Sequence, residues 1–495
     1  MLDEDPAADE VLYRHQLLQE YFAARVLARA PRPELVAAPW RGTDIRPGLR
    51  EVLAGLPPAE TLPALPTTGW EETTLLAAAM GADAAGFVRG VMAANLALAG
   101  RCAAQPMVRA RLPEALLDEL RWTLVARYRD SEANLRARIA AGLALGNLGD
   151  PRFERRVGPH GTYLLPPMVA IPAGAYPIGE DDPIMDPTTN EWDRNHVPRH
   201  LEDLGPFALG RFAVTNAEWA CFMASGGYED ERWWSTEDAR AWRRGESTAE
   251  GMKRGGRQGV KYIRDNPALL ESWHDSGQID DDIYERWQRR LAMSLDELEA
   301  HLAELYPGGR FTAPWYWHDA RYNNPSQPVV GICWYEARAY CAWLSAQTGV
   351  AVSLPAEVER EAATRGRAGR LYAYGDAFDP LGGNTLATHV KQPSPAGVFV
   401  EGDTPEGISD LAGNTADWTC SLYGRDDDRA EFTYPYDPAD GREDASAGAD
   451  ALRVLRGGSW NSNVVYARAA LRLYGYPGDR YYYDGLRLRA AAPVP

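Results

Sequence analysis

Thiols are the best nucleophiles and soft-metal ligands a chain can offer. This sequence has five, Cys102, Cys221, Cys333, Cys341 and Cys420. They are odd in number and lack CxxC spacing, which argues against a disulfide framework or a zinc ribbon. Cys333, Cys341 and Cys420 read as small core residues. His15 and Glu20 lie close in sequence, but no third ligand accompanies them, so no metal is expected there. No GxxxxGK[ST] pattern occurs to cradle a triphosphate. Residues 461–484 suit recognition instead. Tyr466, Tyr474, Tyr476, Tyr481, Tyr482 and Tyr483 crowd a stretch without Lys, Glu, Gln, Met or Trp. Tyr supplies large amphipathic contact area at low entropy cost, and Ser, Gly and Asn adapt around it.

The elements around these residues fall into two styles. Residues 1 to about 155 read as helical. Residues 11–28 are Ala/Leu-rich, and Leu135, Ile139 and Leu143 recur at i, i+4, i+8. Gly146, Gly149 and Asp150-Pro151 close that second helix. Pro and Gly cluster at 158–174 and mark a boundary. From Met168 onward, short strand-like runs alternate with Gly/Asn/Asp turns and tryptophan becomes frequent. Residues 235–312 form a polar helical insert. There Ser294 and Glu297 suggest a capping box, followed by Leu298, Leu302 and Leu305 on one face. A separate small domain is the alternative reading of the insert.

Bulk properties narrow the partners. The net charge is -18 and the pI about 5.0, which disfavours nucleic acid and anionic membranes. No apolar run reaches 18 residues, and the N-terminus lacks a signal-peptide pattern. A cytoplasmic protein is expected.

Ordered motifs then produce a resemblance. Ile171-Pro-Ala-Gly-Ala-Tyr-Pro-Ile-Gly179 opens the series, followed by Phe212-Ala-Val-Thr-Asn216, Gly226-Gly-Tyr228 and Trp233-Trp234. Next come Pro328 to Ala337, Ala339 to Trp343 and Leu354-Pro-Ala-Glu-Val-Glu359. Gly407 to Asn414, Asp417-Trp418, Arg456-Gly-Gly-Ser-Trp460 and Gly485-Leu-Arg487 complete it. Together they resemble the formylglycine-generating-enzyme/sulfatase-modifying family over about 168–489. The resemblance implies an α+β, C-type-lectin-like fold over 160–495, behind the helical domain of 1–155. It also implies copper(I) on two cysteines that follow RGGSW by two and seven residues. Those positions hold Ser462 and Ala467, and neither a hydroxyl nor a methyl suits a soft cation. No HxxxExH pattern supports the three-histidine iron site of related sulfoxide synthases. The expectation is therefore no copper and no enzyme. Calcium is the other family feature, implied at Asp410 with carbonyls of Leu411, Gly413 and Thr415, and at Asn384 in a second site. A turn residue bonded to its own backbone is the bland reading of Asp410.

Two further resemblances complete the expectation. Arg14-His-Gln-Leu-Leu-Gln-Glu-Tyr-Phe-Ala-Ala24 resembles a segment that follows the ATPase core of NACHT/STAND NTPases, and 135–152 resembles a HEAT-type helix. Residues 461–484 resemble the variable repeat of diversity-generating-retroelement proteins. The five missing residue types are those an AAC or AAT codon cannot reach when only its adenines vary. The mutable set is Asn461, Ser462, Asn463, Val464, Val465, Tyr466, Leu471, Leu473, Tyr474, Gly475, Tyr476, Asp479, Tyr481, Tyr482, Tyr483 and Asp484. The constant frame is Ala467 to Ala470, Arg472, Pro477, Arg480 and Gly485, with Trp460 and Arg487 beside it. The mutable residues should line one exposed face that binds a protein or other macromolecule, as the sensor end of a longer STAND-type protein. The alternatives are a metal-dependent oxidase and a structural accessory domain with buried tyrosines.

Overall fold

Apolar residues at helical spacing, started by side chains that cap free N–H groups, build the first part of the chain. The computed structural model describes residues 2–5, 10–13, 16–186, 191–425 and 429–491. It divides into two units: Met1–Leu49 with Pro63–Pro151, and Arg50–Leu62 with Arg152–Pro495. In the first unit, α1 (Gln16–Leu27) and α2 (Leu135–Leu148) accompany helices Glu71–Met80, Ala84–Ala94, Leu96–Ala104 and Glu114–Tyr128. Asp83, Asn95 and Asn134 accept from the N–H groups of Gly86, Leu98 and Arg136. The helix expected over 11–28 starts later, because Glu10–Tyr13 pairs antiparallel with Leu2–Asp5. Arg14 and His15 lie outside the described residues. In α2 the buried stripe is Leu135, Ala141, Leu145 and Leu148, while Ile139 and Leu143 are only half-buried.

The second unit is α+β. Its first sheet takes β1 (Met168–Ile171), β2 (Phe207–Gly210), β3 (Val352–Ser353) and β8 (Arg489–Ala490) in the order β3-β8-β2-β1. Its second takes β4 (Ala416–Gly424), β5 (Leu452–Arg456), β6 (Leu473–Gly475) and β7 (Asp484–Leu486) in the order β6-β5-β4-β7. Ala416 pairs with Asp484 in the parallel β4·β7 contact, and Arg453 faces Gly475 across β5·β6. The tyrosine-rich segment thus leaves this sheet at β6 and returns to it at β7.

Three helices of the scaffold are α3 (Asn216–Ala224), α8 (Trp334–Thr348) and α9 (Glu357–Arg365). Thr215 and Glu218 make a capping box at the start of α3. Trp219 of α3 stacks on Tyr340 of α8, with ring centroids 5.2 Å apart. Trp219, Phe222, Trp334, Tyr340, Trp343 and Trp418 share one core, which explains the tryptophan frequency.

The insert comprises α4 (Glu237–Arg244), α5 (Glu250–Asp265), Ala268–Asp275, α6 (Asp281–Leu291) and α7 (Leu295–Leu305). The Ser294/Glu297 capping box forms, and Leu298 and Leu302 are buried, whereas Leu305 is exposed. Gly251, Gly255, Gly256 and Gly259 would each weaken an isolated α5 by about 1 kcal/mol relative to Ala. Close packing supplies the reason for them. Cβ atoms on Gly251 and Gly255 would overlap the Asp479 carboxylate and the Tyr481 hydroxyl; those on Gly256 and Gly259 would meet Leu302 and Trp287. Gly251→Ala is expected to lower stability by about 1 to 3 kcal/mol despite the better helix former. At Gly478 a Cβ would find only Trp242, at 3.8 Å, so Gly478→Ala should stay within about 0.5 kcal/mol. Urea melts of the two variants compare them directly; equal midpoints would remove the close-packing account.

Candidate functional site

The site begins with the arginines that hold the C-terminal segment. Arg472 donates from Nε and Nη2 to the Glu357 carboxylate at 2.7 and 2.9 Å. Arg480 donates to Glu336 at 2.9 Å, and Arg487 to Asp417 at 3.2 Å. Arg456 pairs with Glu361 and donates to the carbonyls of Ala470 and Leu471 at 2.6 Å each. All these side chains are buried. Glu336 and Glu357 sit in the first turns of α8 and α9, where the helix dipole favours negative charge. For Glu361, burial pushes the carboxyl up, but Arg456 and Arg365 outweigh it and hold it below its ordinary range. The frame is therefore an internal ion-pair lattice.

Between those anchors the expected open face is corrected. Only Asn461 and Tyr474 are exposed; Leu471, Gly475, Asp479 and Asp484 are buried, and the other residues expected to vary are half-buried. They divide among several neighbourhoods. Asn463 and Tyr466 bond Asp186, with Val464 and Val465 in the same short turn. Leu473 and Tyr474 lie on β6, where Tyr474 stacks on Tyr423 at 4.3 Å. Tyr482 packs against Trp460, Tyr322 and Tyr316, and Tyr481 stacks on Tyr483. Tyr481, Tyr482 and Tyr483 are packing residues as well as phenols, so their removal is not expected to spare the fold. The physical reason is cover from scaffold residues such as Asp186, Tyr423, Trp460 and Tyr322 and, over Tyr476 to Tyr481, from the insert: α5 lies against Asp479 and Tyr481, and Arg254 covers the Tyr476 ring at 3.9 Å.

What remains open there is a cleft of about 340 Å³ between the insert and the segment. Asp238, Trp242, Glu246, Glu250 and Arg254 line it from the insert side, Tyr335 and Asp450 from the scaffold, and Tyr476 and Gly478 from the segment. Trp242 is 3% exposed and Tyr335 4%. Among the described residues neither Trp242 Nε1 nor Tyr335 Oη has a hydrogen-bond partner. Burial first, then Cys333, Asp238 and Asp450, hold the Tyr335 phenol above its ordinary value, so it stays a donor. The sequence reading missed the insert's share of this site. The glycine spacing of α5 was the available signal that something packs closely on it.

The metal positions read differently in place. Ser462 Oγ accepts from the Ser459 N–H at 3.0 Å, and the Ala467 methyl is buried, so this pair supplies no soft donor for copper(I). Burial pushes the Cys333 and Cys420 thiols well up, with Glu336 and Glu443 adding to it respectively, which keeps them protonated. Asp410 has φ +56° and accepts from the Gly397 N–H. The Asp410 carbonyl accepts from Arg487 at 3.2 Å, and the Leu411 carbonyl from Arg360 at 3.2 Å. The Gly413 carbonyl accepts from the Thr415 N–H at 3.0 Å. The Asn384 amide donates to Gln392 O and Asn414 Oδ1, and its oxygen accepts from Thr388. One guanidinium, that of Arg360, thus already stands on one carbonyl of the oxygen set implied for calcium, that of Leu411. Among the described residues no three His, Cys, Asp or Glu side chains converge as a metal site. No helix among them is long and apolar enough to cross a membrane.

Comparison with known proteins adds the following. The Sulfatase-modifying factor enzyme 1-like domain matches residues 155–290 and 307–492. Hercynine oxygenase of Mycolicibacterium thermoresistibile is 27% identical over 319 residues, 59% of this chain and 53% of that protein. This chain thus spans about half the length of that relative. Formylglycine-generating enzyme of Thermomonospora curvata is 24% identical over 349 residues, 65% of this chain and 93% of that protein. Among solved structures, variable protein 1 of Treponema denticola aligns with TM-score 0.36 and 15% identity, covering 69% of this chain and 99% of that one. The hercynine oxygenases are enzymes, and their likeness overturns the expectation, drawn from Ser462 and Ala467, of a chain without enzymatic activity.

Proposed function

This chain belongs to the sulfatase-modifying factor enzyme 1-like family, and we propose that it recognises a ligand in the cleft between the insert and Tyr476–Gly478. The supporting observation is the cleft itself. Its volume of about 340 Å³ falls in the range of small-molecule sites, and aromatic walls with a few convergent polar groups are their usual lining. In this reading residues 461–484 are a retroelement-diversified segment, so that Tyr476 of the cleft wall varies among copies while the arginine lattice does not. The helical N-terminal part then belongs to a STAND-type defence or signalling protein that reports ligand binding. A neighbouring DNA repeat that differs from codons 461–484 only at adenines would support the diversified part of this reading; a genomic neighbourhood without one removes it. Gly478→Leu tests the cleft. Hits from a fragment library, detected by ligand-observed NMR, should lose binding in this variant while its melting temperature holds. Hits unaffected by Gly478→Leu would place the ligand elsewhere.

The likeness to hercynine oxygenase favours a second reading, turnover of a small substrate with dioxygen. An oxygen electrode with hercynine as substrate decides it, because consumption above the buffer rate supports turnover. Calcium at Asp410 is a separate part of the proposal. A ligand bound only by the folded state raises stability by RT ln(1 + [L]/Kd). A chelator should then lower the melting temperature of the natural protein and leave Asp410→Ala unchanged; identical melts throughout remove the ion.

A further inference from the structure

We propose that α5 is a pH-gated lid, closed over the C-terminal segment while the Asp479 carboxyl is protonated and released when that carboxyl ionises. What the lid admits rests on the cleft being a binding site, since Gly251 and Arg254 of α5 also line it; the motion itself does not. The contact under the helix carries the inference. A Cβ on Gly251 would overlap Asp479 Oδ1, so the α5 backbone lies directly on that oxygen. Asp479 is 4% exposed, and among the described residues Oδ1 has no hydrogen-bond partner. The other oxygen accepts from the Tyr476 N–H at 2.9 Å. A protonated carboxyl tolerates such a place, whereas a carboxylate needs donors or water. From α5, Arg254 acts on Asp479 through its charge while its guanidinium lies over the Tyr476 ring. From the segment, Tyr481, Tyr483 and the buried Asp484 face the same group, and an ionised Asp484 repels it. β6 presents Gly475, which does not titrate. Burial pushes the Asp479 carboxyl up to about 7 against the Tyr476 N–H and Arg254. Lifting α5 is the direct way to bring water to Oδ1.

The second observation is the way the insert is attached. α5 packs on α6 and α7 through Val260, Trp287, Leu298 and Leu302, a cluster separate from the scaffold core. The three helices can therefore move as one body. Their neck is formed by residues 245–249 and 306–309. Gly245, Ser247 and Gly309 have φ of +98°, +53° and +143° there, conformations suited to a hinge. Thr248 pins the two sides of the neck together. Its hydroxyl donates to the Gly309 carbonyl at 3.0 Å and accepts from the Gly309 N–H at 2.9 Å. Against Asp479 and Tyr481, α5 presents Gly251 and Gly255 rather than apolar side chains, so separation there exposes little apolar surface.

Hydrogen exchange of the full chain, read by mass spectrometry at pH 5 and pH 8 and corrected for intrinsic rates, tests the lid. Opening returns Asp479 to an ordinary carboxyl value near 4, so the open population rises as pH climbs from about 4 toward 7 and then levels. Protection across Glu250–Asp265 should be on the order of 100-fold lower at pH 8 than at pH 5. At both values it should lie below the protection of α8, because the lid opens without global unfolding. Asp479→Asn should remove most of the pH response, with Asp484 leaving a remainder. Gly251→Ala should lower α5 protection already at pH 5. An α5 whose protection ignores pH, or a full response in Asp479→Asn, overturns the lid. So does exchange of α5 and α8 together at every pH, or a folded Gly251→Ala that keeps α5 protected. None of these readouts uses a ligand, so a failed fragment screen sinks the cleft and leaves the lid standing, and the reverse holds.

Discussion

Arg472→Ala is expected to lower the unfolding free energy by about 3 to 5 kcal/mol, because it strands the Glu357 carboxylate in the core. Both side chains are fully buried, and the guanidinium also donates to the carbonyls of Asn195 and Phe432 at 3.1 and 2.9 Å. Arg442 still reaches Glu357 at 3.4 Å, too long to replace two charge-assisted bonds. Tyr474→Ala is the internal control. It lies two residues away, is 40% exposed and loses its stacking on Tyr423, so about 1 kcal/mol is the expected scale. Chemical denaturation of both variants measures the difference. The double replacement Glu357→Gln with Arg472→Met should recover part of the loss, because no uncompensated charge then remains. If Arg472→Ala is as mild as Tyr474→Ala, the arginine lattice does not anchor the segment.

Asp479→Asn is expected to raise stability at pH 8 by about 4 kcal/mol and to change little near pH 4. Burial pushes the Asp479 carboxyl up to about 7, from 3.8, against an N–H bond from Tyr476 and the charge of Arg254. One oxygen accepts from the Tyr476 N–H, and the other has no partner among the described residues. A folded-state value raised in this way fixes the sign. The stability this group contributes is fully present below its unfolded value, near 4. It is lost as pH rises toward 7, because ionising the group is harder in the folded chain. An amide cannot ionise, so the variant escapes that loss. Asp484 is also pushed well up, by burial and then by Asp479, and keeps a residual slope of the same sign in Asp479→Asn. Denaturation midpoints at pH 5 and pH 8 give the result; equal pH dependence in both proteins would mean that Asp479 is not protonated in the folded state.

How much of this could be read beforehand depends on whether the information is local. The family scaffold was legible because its motifs are short and self-contained. The Thr215/Glu218 and Ser294/Glu297 boxes cap helices within a single turn. The anchoring role of Arg472, Arg480 and Arg487 was legible, since an arginine amid phenols needs a partner of its own. Their carboxylates could not be named: Glu357 lies 115 residues from Arg472, and Glu336 lies 144 from Arg480. Composition marked 461–484 as a recognition surface by residue type alone. Burial is a property of neighbours, and for Tyr476, Asp479 and Tyr481 these come from an insert some 200 residues upstream, whose Gly251 and Gly255 let α5 lie against Asp479 and Tyr481. The sequence by itself therefore determined the family and the residues able to make contacts. Only the tertiary structure decided that most of those residues are half-covered and that the open space is an acidic, aromatic cleft. A helix laid across a surface at close range leaves no periodicity in the segment it covers.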